Sequence, residues 1–304
     1  MKNRKNSRKY YTGKNGTNAT EIFAFPGGDR YNAGIRKKKP LFFSGGGEHM
    51  KIAVITGASS GIGRELVYAV DKEGTFDEIW VIARRKERLE ELQNACTNRI
   101  RPIPLDLTET TSIETYKSML EREQPEVRIL VNAAGFGVFG PFAEKDLKKQ
   151  LASAQLNALT LTAMCHVSIP YMKEGCSIVN MGSNSAWQPV PYQTVYGASK
   201  SYVLNFSRAL GRELKQQGIH VMCVCPGWIK TEFQEVARHD DYIRYVDRWY
   251  GPEEVAEQAM KDLKKKKQVS ILGHPVRRQV RLVKFLPVNM IMDIWCKQQG
   301  IGEE

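Results

Sequence analysis

No apolar run in this 304-residue chain reaches the roughly 18 residues that a helix needs to cross a bilayer, so no membrane span is expected. Cysteine is sparse. The six present (Cys96, Cys165, Cys176, Cys223, Cys225, Cys296) show no paired spacing of the kind that holds zinc, so a metal module is not expected. Only Cys223 and Cys225 are close, in the apolar run HVMCVCPG, where a period of two puts both on one face of a strand. They read as buried thiols of a reducing cytosol, which makes the protein cytoplasmic. Internal repeats are absent. The first 49 residues hold no apolar stretch longer than about four (PLFF), too short for a signal peptide. The sequons NGT and NAT found there consequently lack a secretory context.

Acidic residues are also scarce in that leader. Of the formal charge of +12, residues 1–49 hold +8, from eleven Lys/Arg against three Asp/Glu, and the other 255 residues hold +4. A basic excess confined to a leader does not mark a nucleic-acid-binding fold, and no nucleic-acid partner is expected. The leader has no sustained period of 2 or 3.6 and reads as disordered. It ends in GGGEHM. Glycine codons begin GG and glutamate codons GA, so GGGE ahead of Met50 reads as a translated ribosome-binding site. On that reading Met50 is the native start. An intact mass from the native source that retained Lys2 to His49 would refute it.

From Lys51 the texture changes. Apolar runs KIAVIT, EIWVIA, IRPIPL, RILVN, CSIVNM, IHVMCVC and QVSIL alternate with helical patterns around 61–73, 86–95, 111–122, 146–173, 194–217 and 252–266. Near-continuous apolar strands separated by helices predict a parallel sheet covered on both faces. The expected fold class is therefore α/β: a doubly wound, seven-stranded, mostly parallel, Rossmann-like sheet. It forms one domain over residues 50–272, followed by a helical extension over 273–304.

Three groups of residues carry chemistry. TGASSGIG (Thr56 to Gly63) follows the first strand and opens the first helix, where glycines permit a tight turn and close approach of backbone to a phosphate. About twenty residues on, where NAD sites place a carboxylate, IARRKER offers Arg84 and Arg85 and no acid. Two guanidiniums suit a 2′-phosphate, which favours NADP over NAD; the plainer reading is a solvated basic turn. In VYGASKSYV, Tyr196 and Lys200 are four apart and share a helix face. A neighbouring ammonium favours the phenolate and lowers a tyrosine pKa from its usual value near 10. Ser183, just past the fifth strand, is placed to donate to a carbonyl oxygen as charge develops on it.

Together these residues resemble the short-chain dehydrogenase/reductase family over about residues 51–272. TGASSGIG matches the family's glycine motif, Asp106 in PLDLT its adenine-contacting acid, and NAAG (Asn132 to Gly135) its motif after the fourth strand. Asn157 falls at the fourth catalytic position, Ser183, Tyr196 and Lys200 match the triad, and PGWIKTEF matches the segment near the nicotinamide. The resemblance implies cofactor contacts from Gly57, Ser59, Ser60, Gly61, Ile62 and Gly63, and from Asp106 and Leu107 beside Arg84 and Arg85. It implies others from Asn132, Ala133, Gly135, Tyr196, Lys200, Pro226, Gly227, Ile229 and Thr231. In the implied mechanism Tyr196 exchanges a proton with the substrate oxygen and Ser183 orients that oxygen. Lys200 lowers the Tyr196 pKa and holds the nicotinamide ribose, and Asn157 supports a water relay behind Lys200. No metal is implied.

The segment Lys230 to Tyr250 is expected to close over the substrate, opposite the apolar stretches FGVFGPF and AWQPVPYQ. A moderately large apolar ketone, aldehyde or acyl compound fits such walls. His239, in that segment, reads as solvated rather than catalytic. After QVSILG the tail HPVRRQVRLVKFLPVNMIMDIWCKQQG alternates valines with arginines and is broken at Pro287. It reads either as a cap on the pocket or a subunit contact, or as a basic amphipathic helix lying on a membrane. The tail also distinguishes the chain from the family's acyl-carrier-protein ketoreductases, which end soon after the last strand. A homo-oligomer stays open, and so does a nucleotide-sensing regulator that keeps the fold without turnover.

Overall fold

The computed structural model describes residues 49–74, 76–237, 242 and 244–301. The expectations for the leader over residues 1–48 and for His239 lie outside the described residues. The strands β1 (Lys51–Thr56) and β2 (Glu78–Ala83) match their apolar runs residue for residue. Successive side chains on a strand face opposite ways. Accordingly Ile52, Val54, Trp80 and Ile82 enter one core, while Ala53, Ile55, Ile79 and Val81 enter another. This alternation, with both faces buried, is what a sheet sandwiched between helices requires.

The sheet adds β3 (Ile100–Pro104), β4 (Glu126–Asn132), β5 (Ser177–Met181), β6 (His220–Val224) and β9 (Val269–Ser270). All neighbours pair in parallel, in the order β3-β2-β1-β4-β5-β6-β9. Pro102 and Pro104 lie in β3, an edge strand, where proline is tolerated. Helices α1 (Gly61–Asp71), α2 (Lys86–Glu90) and α8 (Pro252–Lys264) bury Leu66, Val70, Leu89, Val255 and Ala259 in one core. Helices α3 (Thr110–Glu123), α5 (Leu161–Ser168) and α6 (Thr194–Glu213) bury Tyr116, Leu120, Met164, Val203 and Leu204 in the other. The strand order reverses between β1 and β4, and that switch point opens a crevice at the carboxyl ends of the strands.

Four local features differ from expectation. The helical pattern over 146–173 is not one helix but α4 (Leu147–Ala154), a π-helical stretch (Gln155–Thr160) and α5. A two-stranded ribbon, β7 (Trp228–Ile229) with β8 (Trp249–Tyr250), flanks the short α7 (Phe233–Ala237). β9 is only two residues long, because the chain soon turns at Gly273 (φ +82°) into the tail. Of the six cysteines, Cys165, Cys176, Cys223 and Cys225 are buried, whereas Cys96 and Cys296 are partly exposed.

The tail folds as α9 (His274–Leu282) and α10 (Val288–Gln299), parted at Pro287. Val276 and Val280 join the core, and Ile291 is buried. Leu282, Phe285, Val288, Met290 and Ile294 stay exposed, Phe285 at 85%. Among the described residues no helix is long and apolar enough to cross a membrane.

Candidate active site

The crevice is a cavity of about 690 Å³, lined from Arg84 and Asp106 at the ends of β2 and β3 to Ser183, Tyr196, Phe233 and Trp295. Its floor is the turn from β1 into α1. Gly57 takes φ +69°, and a β-carbon there would lie 2.7 Å from the Ala134 amide nitrogen. A β-carbon at Gly63 would collide with the Gly57 carbonyl. The turn is pinned from below by Thr56, whose hydroxyl oxygen accepts from the Ala133 and Ala134 amides at 3.1 Å each. Gly61 faces the methyl of Thr231 across the crevice. This cradle leaves backbone, without side chains, exposed to the cavity, which fits the pyrophosphate of a dinucleotide.

At the β2 end, Arg85 is tightly engaged. Its Nη2 donates to the hydroxyls of Ser59 at 3.0 Å and Ser60 at 2.8 Å, and its Nη1 donates to Glu232 Oε2 at 2.7 Å. Arg88 donates to the other oxygen of Glu232. Bonding to Arg88 and Arg85 holds the Glu232 carboxyl down at about 2. Arg84 is exposed at the cleft edge. Burial alone would raise the Asp106 pKa, but bonds from the Thr108 amide (3.0 Å) and hydroxyl (2.7 Å) outweigh it and the net shift is downward. An ionised Asp106 beside two arginines and a glycine cradle is a donor and acceptor set that fits an adenosine nucleotide.

At the β5 end, Tyr196 and Lys200 project from the first turns of α6 on one face. Tyr196 packs edge-on against Phe139 (centroids 5.5 Å apart) and lies 5.5 Å from Phe233. Burial pushes its hydroxyl up to about 12, with a hydrogen bond to Ser183 pulling the other way. Lys200 is buried, its Nζ donates to the Met181 carbonyl at 2.8 Å, and burial lowers its pKa to about 8. The Lys200 ammonium also lies 5.6 Å from the centre of the Tyr196 ring, and loss of solvation is the leading cause of the shift in both groups. Ser183 Oγ accepts from the Ser185 amide at 3.2 Å and donates to Asn184 Oδ1 at 3.2 Å.

Two expected site residues do not line the cavity. Asn132 is buried behind it, where its amide donates to Asn180 Oδ1 at 2.9 Å and to Cys165 Sγ at 3.3 Å. Asn157 lies in the π-helical stretch and grips the backbone of Phe136, accepting from its amide at 3.1 Å and donating to its carbonyl at 2.9 Å. It also donates to Ser199 Oγ at 3.1 Å, and Ser199 in turn donates to the Tyr196 carbonyl at 2.7 Å. A π-bulge beside such a residue is a common functional-site device. The other expected residues, Gly57, Ser59, Ser60, Gly61, Ile62, Gly63, Arg84, Arg85, Asp106, Leu107, Ala133, Gly135, Ser183, Tyr196, Lys200, Pro226, Gly227, Ile229 and Thr231, all line it.

The substrate end is apolar within and charged at its margin. Phe139, Phe233 and Trp295 line the cavity, and so do Glu144, Lys145, Asp146 and Lys149, which the expectation of plain apolar walls had not included. Trp295 of α10 donates to the Pro191 carbonyl at 3.0 Å. Gln299 accepts from the Arg244 and Tyr245 amides at 2.9 and 3.0 Å and donates to the Tyr245 carbonyl at 3.1 Å. The tail thus fastens both the segment before α6 and part of the segment between α7 and β8. Glu232, Thr108 and Trp295 escaped the sequence reading. Glu232 stands in the quoted PGWIKTEF, but its partner Arg85 is 147 positions away, and nothing local points to it.

Comparison with known proteins agrees with this geometry. A family model described as short chain dehydrogenase matches residues 51–241. Sulfoacetaldehyde reductase 2 of Chromohalobacter salexigens is 33% identical, over 62% of this chain and 77% of that protein. The NADP-dependent 3-hydroxy acid dehydrogenase of Schizosaccharomyces pombe is 29% identical, over 73% and 90%. Among solved structures, a short-chain dehydrogenase from Sphingobium yanoikuyae in complex with NADPH superposes with a TM-score of 0.67 at 26% identity, covering 78% of this chain and 96% of that one. A bulky-bulky ketone specific alcohol dehydrogenase from Comamonas testosteroni gives 0.65 at 28%, covering 78% and 92%.

Proposed function

Since the chain belongs to the short-chain dehydrogenase/reductase family, an oxidoreductase family acting between carbonyl and alcohol, we propose that it is an NADP-dependent reductase. Its substrate is a moderately large apolar ketone or aldehyde, or an acyl compound. The carrying observation is that Ser183, Tyr196 and Lys200 line the same cavity as the glycine cradle and the arginine corner. The nicotinamide, when bound, supplies the hydride. The protein's own groups do the rest. The Tyr196 hydroxyl gives its proton to the substrate oxygen, and Ser183 donates a hydrogen bond to that oxygen as charge develops on it. Lys200 holds the cofactor ribose. Asn157 acts by fixing the Phe136 backbone beside the site, so it is a positioning residue.

Phe139, Phe233 and Trp295 supply the apolar contact for the substrate body, and α9 with α10 act as the cap on that end. A screen of carbonyl compounds following NADPH oxidation, with NADH alongside, is expected to find faster turnover with NADPH. Tyr196→Phe is expected to bind NADPH normally and to lose at least 100-fold in rate, the usual scale of a lost general acid. Near-normal turnover of that variant would remove the assignment, and the absence of turnover from any carbonyl would return the chain to the nucleotide-sensor reading.

A further inference from the structure

Arg85 is the group best placed to read a 2′-phosphate, yet its fork is already occupied. One edge of the guanidinium bonds Ser59 and Ser60 on the glycine turn, and the other bonds Glu232 at 2.7 Å. The second oxygen of Glu232 takes Arg88. Two cations of the β2–α2 corner thus share one carboxylate that comes from the far side of the crevice, immediately after Thr231, which faces Gly61. All three side chains are about two-fifths exposed, at 41%, 37% and 40% for Arg85, Arg88 and Glu232. The cluster is therefore reachable from the cleft and weakly enough held to be exchanged. Glu232 also stays ionised throughout the working pH range, so it is a standing competitor for any anion that needs these arginines.

We propose that Glu232 is a specificity-determining residue that competes with the cofactor's 2′-phosphate for Arg85 and Arg88. The inference rests on the reading of Arg84 and Arg85 as the 2′-phosphate corner. A phosphate that takes the Arg85 fork displaces the carboxylate, whose charge then opposes it nearby. A ligand ending in a plain ribose has no reason to break the bridge. The carboxylate therefore lowers affinity for the phosphorylated cofactor alone, which narrows the margin between NADPH and NADH.

The test is Glu232→Gln, which keeps the shape and removes the charge at a partly exposed position. Affinities of wild type and variant for NADPH, NADH, adenosine 2′,5′-bisphosphate and adenosine 5′-monophosphate are measured by calorimetry. The variant is expected to bind the two 2′-phosphate ligands about fivefold more tightly or better, with the other two unchanged. Glu232→Asp, which keeps the charge, is expected to gain nothing. Equal gains for all four ligands, or no gain for the phosphorylated pair, would overturn the inference. A wild-type preference for NADH would instead sink the NADP reading alone. In that case a selective gain for the 2′-phosphate ligands in Glu232→Gln would still identify Glu232 as the cause.

Discussion

Lys200 keeps an ammonium where water hardly reaches, at 4% exposure, with the Met181 carbonyl at 2.8 Å as its hydrogen-bond acceptor. Its folded pKa of about 8 lies below the ordinary 10.5, and burial is the leading cause. The sign follows from proton linkage. Between the two values the unfolded chain binds the extra proton, so stability rises with pH across that window, and below about 8 the fold bears the full cost of the buried charge. Lys200→Met keeps the length and drops the charge, at the expense of the bond to Met181. It is expected to raise stability at pH 7 on the order of 1–2 kcal/mol while abolishing turnover, a stability lost to function in the native residue. The gain should vanish as the pH approaches 10, where the wild-type amine is largely neutral. Urea unfolding of both proteins at the two pH values checks this, and an equal gain at both would show that the charge is not the cause. The Tyr196–Lys200 pair was legible in the sequence because a spacing of four is a property of one helix. Its electrostatic tuning was not, since that depends on burial under Phe139 and Phe233 and on a carbonyl of β5.

Elements were readable wherever one short segment carries its own pattern. β1 and β2 are continuous apolar runs bounded by polar or glycine residues, and their limits coincide with expectation. Elements defined by distant partners were not readable. The π-helical stretch exists where Asn157 grips Phe136, 21 positions away, and the ribbon of β7 and β8 pairs segments that lack any strand pattern of their own. The sequence likewise left the tail undecided between a cap and a membrane contact. In the structure α10 reaches Pro191, 104 positions back, and Tyr245, 54 back. Trp295→Ala would remove both an apolar wall and the bond to Pro191. It is expected to raise KM for a bulky substrate on the order of tenfold and to leave NADPH affinity unchanged, because the hydrogen bonds of α10 run to Pro191, Arg244 and Tyr245 and not to the glycine turn or the arginine corner. Steady-state kinetics beside cofactor titration measure this, and an unchanged KM would remove the cap. Co-sedimentation with anionic liposomes, with and without residues 274–304, tests the other use of the tail, for which exposed Phe285 is the natural contact.

At the scale of the whole molecule, the cleft draws its walls from the carboxyl ends of β1, β2, β3, β4 and β5, the turn after β6, and the helices that follow. A dinucleotide lying there would touch both halves of the doubly wound sheet, so its binding energy is also folding energy for the domain. A ligand that binds only the folded state stabilises it by about 2.7 kcal/mol at a hundredfold excess over its Kd. For a domain of this size each kcal/mol moves the midpoint by roughly 2–4 °C. NADPH at that excess is therefore expected to raise Tm by roughly 5–10 °C, in Tyr196→Phe as in the wild type, because the effect needs binding and no chemistry. NADH at the same concentration is expected to give a smaller rise, for want of a 2′-phosphate to meet Arg84 and Arg85. Differential scanning fluorimetry with both cofactors measures the two shifts. Equal shifts would withdraw the NADP preference while keeping the dinucleotide site, and no shift with either would withdraw the site itself.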